Sequence, residues 1–269
     1  MSAPSPRLVA TILGCGSSGG VPRPGSGWGK CDPAEPRNRR RRCALHVARI
    51  GTDGETSVLV DTGPDLRLQL IDNEIRHLDG VLYTHDHADH THGIDDLRPI
   101  VIHMRKRIPV WADAATSASL IERFGYCFRT PEGSDYPPIL EERRICDPEP
   151  ILVEGAGGVV EARPFRLRHG SQDALGFRFG DFAYAPDVSV MPSAAEAMLA
   201  GLDTLVIDAL RDTPHPSHYS VSDALALIER VRPRRAVLTN LHTDLDYDAL
   251  KARLPAGVEP AYDGMRIEI

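Results

Sequence analysis

Apolar and polar positions follow one another along the chain in patterns that predict a series of strands and helices. Short apolar runs that end in polar or glycine-rich stretches predict strands at residues 8–13, 57–63, 81–84, 108–111, 164–169, 204–208 and 236–242, and a hairpin at residues 176–185. Apolar residues at helical spacing predict helices at residues 65–78, 114–124 and 221–231. Ser193 and Glu196 predict a capping box at the start of a further helix, and residues 126–144 are predicted to be irregular.

A cluster of histidines and aspartates follows the predicted strand at residues 81–84. The sequence after Thr84 reads His-Asp-His-Ala-Asp-His. On an extended segment His85 and His87 point to the same side, so both imidazoles can bind one metal ion. Asp89 and His90 follow where the chain turns towards a helix, and they face a second position. Since imidazole and carboxylate are ligands for zinc, manganese or iron, a metal site is preferred to a polar loop.

The glycine-rich segment after the first predicted strand contains a literal G-x-G-x-x-G between Gly14 and Gly19. In a dinucleotide-binding protein a helix must follow this motif and hold the pyrophosphate at its N-terminus. Pro22 and Pro24 follow instead, and prolines so close together do not begin a regular helix. A nucleotide cofactor is therefore excluded.

Composition indicates one large domain, residues 1–269, in a reducing compartment. The chain has 269 residues, 42% of them hydrophobic, which is enough for a sizeable core. A net charge of −7 argues against a surface adapted throughout to long nucleic acid, which is not expected as a partner. We find no apolar run that could span a membrane and no leader sequence, and the five irregularly spaced cysteines are expected to be free thiols. A cytoplasmic location is therefore predicted.

A run of arginines at residues 39–42 is the strongest basic patch in the sequence. Such runs usually form a solvated surface. Guanidinium groups also bind phosphate oxygens in bidentate fashion, so a loop beside a metal site could bring an arginine to a substrate. Both interpretations stay open, with Arg39 and Arg41 as the candidate substrate-binding residues.

The string H-x-H-x-D-H at residues 85–90 resembles the signature of the metallo-β-lactamase superfamily. Gly-Gly-Val-Pro at residues 19–22 and the tail from Ala261 onwards are similar to one branch, the phosphoribosyl cyclic phosphodiesterases of phosphonate metabolism. The resemblance extends over essentially the whole chain. It implies an α/β metallo-β-lactamase fold, a four-layer αββα sandwich with mostly antiparallel mixed sheets.

The same resemblance implies two divalent metal ions, Zn²⁺ or Mn²⁺. A bridging aspartate and two sets of three ligands are expected, each of the later ligands at a strand end. The sets are His85, His87 and His169 for one ion, Asp89, His90 and His242 for the other, and Asp187 as the bridge. Asp61, in the Asp-Thr-Gly that ends the predicted strand at residues 57–63, is expected to orient a ligand histidine.

His218 and Asp89 are the candidate catalytic residues. His218 matches the position of a catalytic histidine in the phosphodiesterase branch and is expected to protonate the leaving oxygen as a general acid. The two ions would lower the pKa of a shared water and so supply the attacking hydroxide. The leading hypothesis is therefore a phosphodiesterase that acts on a small, cyclic ribose phosphate or nucleotide ester.

Three alternatives stay open. A tRNA 3′-processing endonuclease shares the motif, but Asp187 follows His169 by only 18 positions, which leaves no room for the long basic arm of those enzymes. An accessory protein of the type that serves pyrroloquinoline quinone synthesis would not hydrolyse phosphodiesters. A lactonase or thioesterase would hydrolyse carbonyl esters. The predicted partner is a small phosphate ester or nucleotide, and a homodimer is left open.

Overall fold

The structure, a computed structural model, describes residues 7–146 and 148–269. Over these residues the chain forms two seven-stranded sheets that pack face to face. The strands up to residue 144 are β1 (Arg7–Gly14), β2 (Ala44–Ile50), β3 (Glu55–Val60), β4 (Gly80–Leu82), β5 (Ile108–Ala112) and β6 (Leu140–Arg144). The later strands are β7 (Ile151–Val153), β8 (Val160–His169), β9 (Gln172–Phe179), β10 (Phe182–Ala185), β11 (Thr204–Asp208), β12 (Arg235–Thr239), β13 (Val258–Pro260) and β14 (Met265–Glu268).

The helices cover the outer faces of these sheets. They are α1 (Leu66–Asp72), α2 (Ala88–Thr91), α3 (Arg98–Met104), α4 (Ala114–Phe128), α5 (Ser193–Met198), α6 (Val221–Val231) and α7 (Tyr247–Arg253), with short 3₁₀ helices at Pro36–Asn38 and Ile94–Leu97. In the part of the chain that the structure describes, none of the helices combines the length and apolar character that a membrane crossing requires.

Each sheet is antiparallel in one half and parallel in the other. The first sheet has the order β14-β1-β2-β3-β4-β5-β6, and its pairings are parallel from β3 to β6. The second sheet has the order β13-β12-β11-β10-β9-β8-β7, and its pairings are parallel from β10 to β13. The predicted α/β fold with two mixed sheets is confirmed, although antiparallel pairings do not predominate among the described strands.

Apolar side chains form three clusters that define four layers. The central cluster lies between the sheets and combines Ile12 and Leu45 of the first sheet with Phe177 and Val206 of the second. A second cluster joins the first sheet to α1, α3 and α4, and a third joins the second sheet to α5, α6 and α7. Strand β11 is buried along its whole length because one face meets the other sheet and the opposite face meets helices. The predicted αββα sandwich is confirmed.

Two helix predictions need correction. Helix α1 ends at Asp72 rather than at residue 78, because Asn73 and Glu74 leave the helical conformation and Glu74 has a φ of 55°. Ser193 and Glu196 do not form a capping box, since the residue before α5 is Pro192, which provides no side-chain cap. A capping box is formed at α6 instead, by Ser220 and Asp223.

Residues 126–144 are more regular than the sequence predicts. Helix α4 continues to Phe128, and β6 pairs in parallel with β5 at the edge of the first sheet. All five cysteines are free thiols, as predicted, and four of them are buried.

Phe177 provides a test of the contact between the sheets, because its side chain is fully buried in the central cluster. We expect Phe177→Ala to lower the free energy of unfolding by about 3–5 kcal/mol, through lost burial and the cavity left behind. Leu152→Ala is a matched control in strand β7, where the side chain is 54% exposed; its effect should stay within about 0.5 kcal/mol. Denaturant titration measures both, and equal effects would contradict tight packing between the sheets at Phe177.

Candidate metal centre

Several candidate site residues lie where parallel strands of the two sheets end, and His169 is the last residue of the antiparallel strand β8. Asp61 directly follows β3, and His85 follows β4 after two residues. In the second sheet Asp208 ends β11, and Asn240 directly follows β12. The carboxyl ends of adjacent parallel strands lie at the same edge of a sheet, so each sheet contributes one group of polar residues. The packing of the sheets brings the two groups together.

The predicted course of the motif from His85 to His90 is observed. The chain stays extended through His87, with φ −62° and ψ 152°, and then forms α2, which carries Asp89 and His90. The close approach of α2 requires Gly63, because a Cβ atom there would lie 2.2 Å from the carbonyl oxygen of Asp89.

Three imidazoles meet at one point of the cleft. One ring nitrogen each of His85, His87 and His169 lies within 4.8 Å of the others. Nδ1 of His169 donates to the carbonyl oxygen of Ser217 over 2.6 Å, which leaves the lone pair on Nε2, 3.2 Å from Nδ1 of His87. Nε2 of His85 is buried and has no hydrogen-bond partner among the described residues. Buried lone pairs that converge in this way fit a divalent cation, which the three residues could hold through nitrogen.

His90 lies among three carboxylates on the other side of His85. Its Nε2 is 3.2 Å from Oδ2 of Asp187 and 3.5 Å from Oδ2 of Asp89, and its Nδ1 is 2.8 Å from Oδ2 of Asp61. Burial by itself would lower the pKa of His90, but the negative charges of Asp187, Asp89 and Asp61 hold it well above its ordinary value. The surroundings of His90 therefore favour a positive charge, which a bound divalent cation would also provide.

The positive charge of His90 favours the ionised form of the carboxyl groups of Asp187 and Asp89. Burial opposes ionisation of both, yet the charge on His90 holds the pKa of Asp187 well below its ordinary value and lowers that of Asp89 to about 2. Buried carboxylates of this kind need a positive partner. A divalent cation between His85, His90 and Asp187 would provide one, and ring and carboxylate atoms of these three residues lie within 4.8 Å of one another.

Asp61 forms hydrogen bonds with Thr84 and His90, and its predicted role in orienting a ligand histidine stays a prediction. Its buried carboxylate accepts hydrogen bonds from the backbone N–H of Thr84, the hydroxyl of Thr84 and Nδ1 of His90, each over 2.8 Å. Because the Thr84 hydroxyl donates to Asp61, it accepts from Nδ1 of His85 over 3.0 Å, and this directs the lone pair of Nε2 into the cleft. Asp61 has a left-handed backbone with a φ of 67°, which aspartate tolerates better than most residues.

His218 lies beside the imidazole cluster and is held by Asp208. Its Nδ1 is 2.8 Å from Oδ2 of Asp208, and its ring centroid is 4.7 Å from that of His169. Burial would lower the pKa of His218, but the hydrogen bond to Asp208 outweighs it and raises the pKa to about 9. Burial also raises the pKa of Asp208, to about 7, despite the opposing effect of His218. The sequence analysis missed Asp208, because a single aspartate at the end of a strand is ordinary and nothing in the sequence places it beside His218.

His242 is not brought into the cluster. Strand β12 ends at Thr239, and Nδ1 of His242 lies 3.0 Å from Oδ2 of Asp244. Among the described residues, no group with metal-ligand spacing contains His242. Asn240 comes to the site instead, with its Nδ2 3.1 Å from Oδ1 of Asp187. The role of His242 as a metal ligand stays a prediction.

Arg39 and Arg41 of the arginine run contact residues outside the imidazole cluster. The guanidinium of Arg39 stacks over the ring of Trp28 at 5.2 Å, and Arg41 pairs with Asp72 over 2.5 Å. Both arginines line a cavity of about 340 Å³ that Tyr262 and Asp263 also line. A role of Arg39 and Arg41 in substrate binding stays a prediction, since neither contacts the cluster.

Comparison with known proteins identifies the family that this fold and site define. Residues 56–240 match the family model described as the beta-lactamase superfamily domain, and the chain belongs to that family. A crystal structure of a diphosphatase from the PhnP family is 35% identical, with a TM-score of 0.85, over 98% of this chain and 97% of that chain. The resemblance to the superfamily and to this branch is confirmed, and the chain has the β-lactamase fold.

Two more distant structures share the fold. Zn²⁺-bound PqqB from Methylobacterium extorquens is 18% identical with a TM-score of 0.74, over 97% of this chain and 100% of that chain. The short form of human tRNase Z is 20% identical with a TM-score of 0.61, over 96% of this chain and 98% of that chain.

One curated relative is much longer than this chain. A Porphyromonas gingivalis protein named octanoyltransferase is 32% identical over 260 residues, which are 94% of this chain and 50% of that protein. The chain therefore spans about half the length of the curated relative that it matches.

Asp61→Asn tests the orienting role of the buried carboxylate. An amide presents an N–H where Nδ1 of His90 or the Thr84 hydroxyl now donates, so both histidines should lose their preferred orientation. Because residues that orient metal ligands commonly affect affinity by about 10–100-fold, we expect a loss of Zn²⁺ affinity in that range with the fold retained. Isothermal titration with Zn²⁺ measures it. Asp65→Asn is the control, since Asp65 pairs with Arg42 outside the cluster, and equal losses in both variants would contradict a specific role of Asp61.

Proposed function

We propose that the chain is a metal-dependent phosphodiesterase that acts on a small phosphate ester, such as a cyclic ribose phosphate or a nucleotide ester. The observation that carries the proposal is the hydrogen-bonded pair of the buried Asp208 and the half-buried His218, beside a cluster of convergent imidazoles and a carboxylate. A metal site alone serves many reactions, whereas a proton donor beside it serves the departure of a poor leaving group. The similarity to a diphosphatase of the PhnP family supports a phosphate ester as substrate.

The proposed metal site uses the imidazole and carboxylate groups described above. His85, His87, His169 and Asp187 would hold one ion, Zn²⁺ or Mn²⁺, and Asp89 and His90 would hold a second, with Asp187 shared between them. Bound divalent ions supply a water of lowered pKa and a counter-charge for the phosphate oxygens. Asp89, with its side chain 19% exposed, would accept a hydrogen bond from the attacking water.

His218 would act as the general acid through Nε2. Its Nδ1 hydrogen bonds to Asp208, so the second ring nitrogen carries the proton that can be donated to the leaving oxygen. The carboxylate of Asp208 favours the charged imidazolium, and it also fixes the plane of the ring. A cytoplasmic location, a small-molecule partner and a homodimer stay predictions that accompany this proposal.

Removal of metal should abolish the activity. After chelation we expect no turnover of bis-p-nitrophenyl phosphate, with recovery on addition of Mn²⁺ or Zn²⁺.

Asp187→Ala should lose at least one bound ion, because it removes the carboxylate shared by both positions, whereas the exposed Asp181→Ala should keep all of them. Elemental analysis measures the ions per chain. A protein that binds no metal after reconstitution would refute the proposal, and turnover of carbonyl esters alone would favour a lactonase or thioesterase.

The role of His218 can be separated from metal binding by the choice of leaving group. An alkoxide leaves only when it receives a proton, whereas nitrophenolate is stable without one. We therefore expect His218→Ala to slow an alkyl phosphodiester by about 10²–10⁴-fold and a nitrophenyl ester far less, with metal content unchanged. His215→Ala is the matched control, since that neighbouring ring contacts Ser217 rather than Asp208. Equal losses on both substrates would indicate that His218 binds or positions the phosphate instead.

A further inference from the structure

The two proposed ion positions differ in the donors that the described residues provide. The first position can draw on three imidazoles and on Asp187, whose Oδ1 lies 3.9 Å from Nε2 of His169. The second position has His90, Asp89 and the shared Asp187, and the other group near it is His85, which the first position also needs. The second position therefore has one protein ligand fewer than the first, and its three ligands are the number that a zinc site with an open fourth coordination position has.

His242 does not supply the missing ligand in this structure. It is two residues beyond Asn240, and its backbone N–H is bound to the carbonyl oxygen of Leu210 over 3.0 Å. Its ring is turned to Asp244, with Nδ1 3.0 Å from Oδ2 and 3.3 Å from the backbone nitrogen of that residue. To reach His90, the segment after β12 would have to give up these contacts.

Asn240 lies at the place where a ligand from β12 would come, but it presents the wrong group. Its side chain is only 3% exposed, and Nδ2 is 2.8 Å from the carbonyl oxygen of Pro186 and 3.1 Å from Oδ1 of Asp187. Both neighbours are acceptors, so the amide must point its N–H groups at them. An N–H group cannot bind a cation, although it can hold a carboxylate in place.

We propose that Asn240 is a positioning residue that fixes Asp187 and leaves the second ion position open, so that the chain retains one divalent ion tightly and a second one weakly. Asn240 donates a hydrogen bond from Nδ2 to Oδ1 of Asp187, and the other carboxylate oxygen, Oδ2, faces Nε2 of His90. The open coordination position is available to water or to an oxygen of a substrate phosphate. The proposal rests on the proposed metal site, but it concerns the affinities of the two positions and not the reaction.

The test is a count of bound Zn²⁺ with Zn²⁺ alone as the probe. The purified chain is loaded with excess Zn²⁺, passed into metal-free buffer and analysed for zinc per chain. We expect about one ion to be retained, and a second, weaker binding event to appear by isothermal titration, because a change in a metal's ligand surroundings commonly alters affinity by about 10–100-fold.

Two substitutions at residue 240 and one at residue 242 make the test specific. Asn240→His replaces the N–H donor by a ring nitrogen, and histidine is also tolerated at the left-handed φ of 62° found there. Asn240→Asp is nearly isosteric and provides a carboxylate oxygen in case the histidine variant fails to fold. In either variant the second ion should be retained through buffer exchange. His242→Ala should leave the zinc count of the unsubstituted chain unchanged.

The contrary results are distinct. If the unsubstituted chain retains two ions and His242→Ala loses one, His242 is the ligand and the proposal is wrong. If folded Asn240→His and Asn240→Asp variants both bind the second ion as weakly as the unsubstituted chain, the residue does not govern that position and the proposal is again wrong. A chain that retains no zinc in any variant would refute the metal site of the proposed function itself.

Discussion

The candidate centre depends on the buried carboxylate of Asp61. This group is removed from solvent, and it accepts hydrogen bonds from Thr84 and His90. Burial raises the pKa of its carboxyl group, while the charge on His90 works against that effect. Since an unpaired buried charge is costly, the chain that contains Asp61 must keep these partners in place. The hydrogen bonds that satisfy the carboxylate of Asp61 therefore also orient the rings of His85 and His90.

His90 also links the first sheet to the second, because it lies close to Asp187 of the second sheet. Asp187 and Asp89 lie against His90 from the side opposite Asp61, so one imidazole is surrounded by three carboxylates. A single proton on His90 cannot balance this charge well. Divalent cations are the natural counter-charge, because they bind several carboxylates and imidazoles at once. The Asp208–His218 pair borders this region: Nδ1 of His218 is 2.8 Å from Oδ2 of Asp208 and 3.7 Å from Oδ1 of Asp187, so Asp208 is the nearer carboxylate.

The local part of the site could be predicted from the sequence, whereas the contributions of distant segments could be predicted only in part. His85, His87, Asp89 and His90 are neighbours in the chain, so the period of an extended strand and the start of a helix fix their directions. His169 and Asp187 could be proposed because each follows a strand at a place where the resemblance to the superfamily implies a ligand. Asp208 carries no such signature, since a single aspartate at a strand end is ordinary, and only the packing of the two sheets brings it to His218.

The end of β12 shows why a prediction based on the period of a strand fails at its end. The apolar residues 236–238 are followed by Thr239, Asn240 and the apolar Leu241, so the pattern extends the predicted strand to His242. The chain in fact leaves the extended conformation at Asn240, where φ is 62°, and beyond that point the alternation of side chains no longer applies. The ring of His242 is consequently turned to Asp244.

Asp61 in the first sheet and Asn240 in the second share a left-handed backbone conformation, but their side chains have opposite roles in hydrogen bonding. Asp61 and Asn240 each directly follow a parallel strand and each have a positive φ, which turns the side chain into the cleft. Asp61 brings a carboxylate that accepts hydrogen bonds from the candidate ligands of the first sheet. Asn240 brings an amide that donates to the carboxylate of Asp187. In the first sheet, the carboxylate of Asp61 thus attracts positive charge. In the second sheet, the amide of Asn240 donates a hydrogen bond to the carboxylate of Asp187.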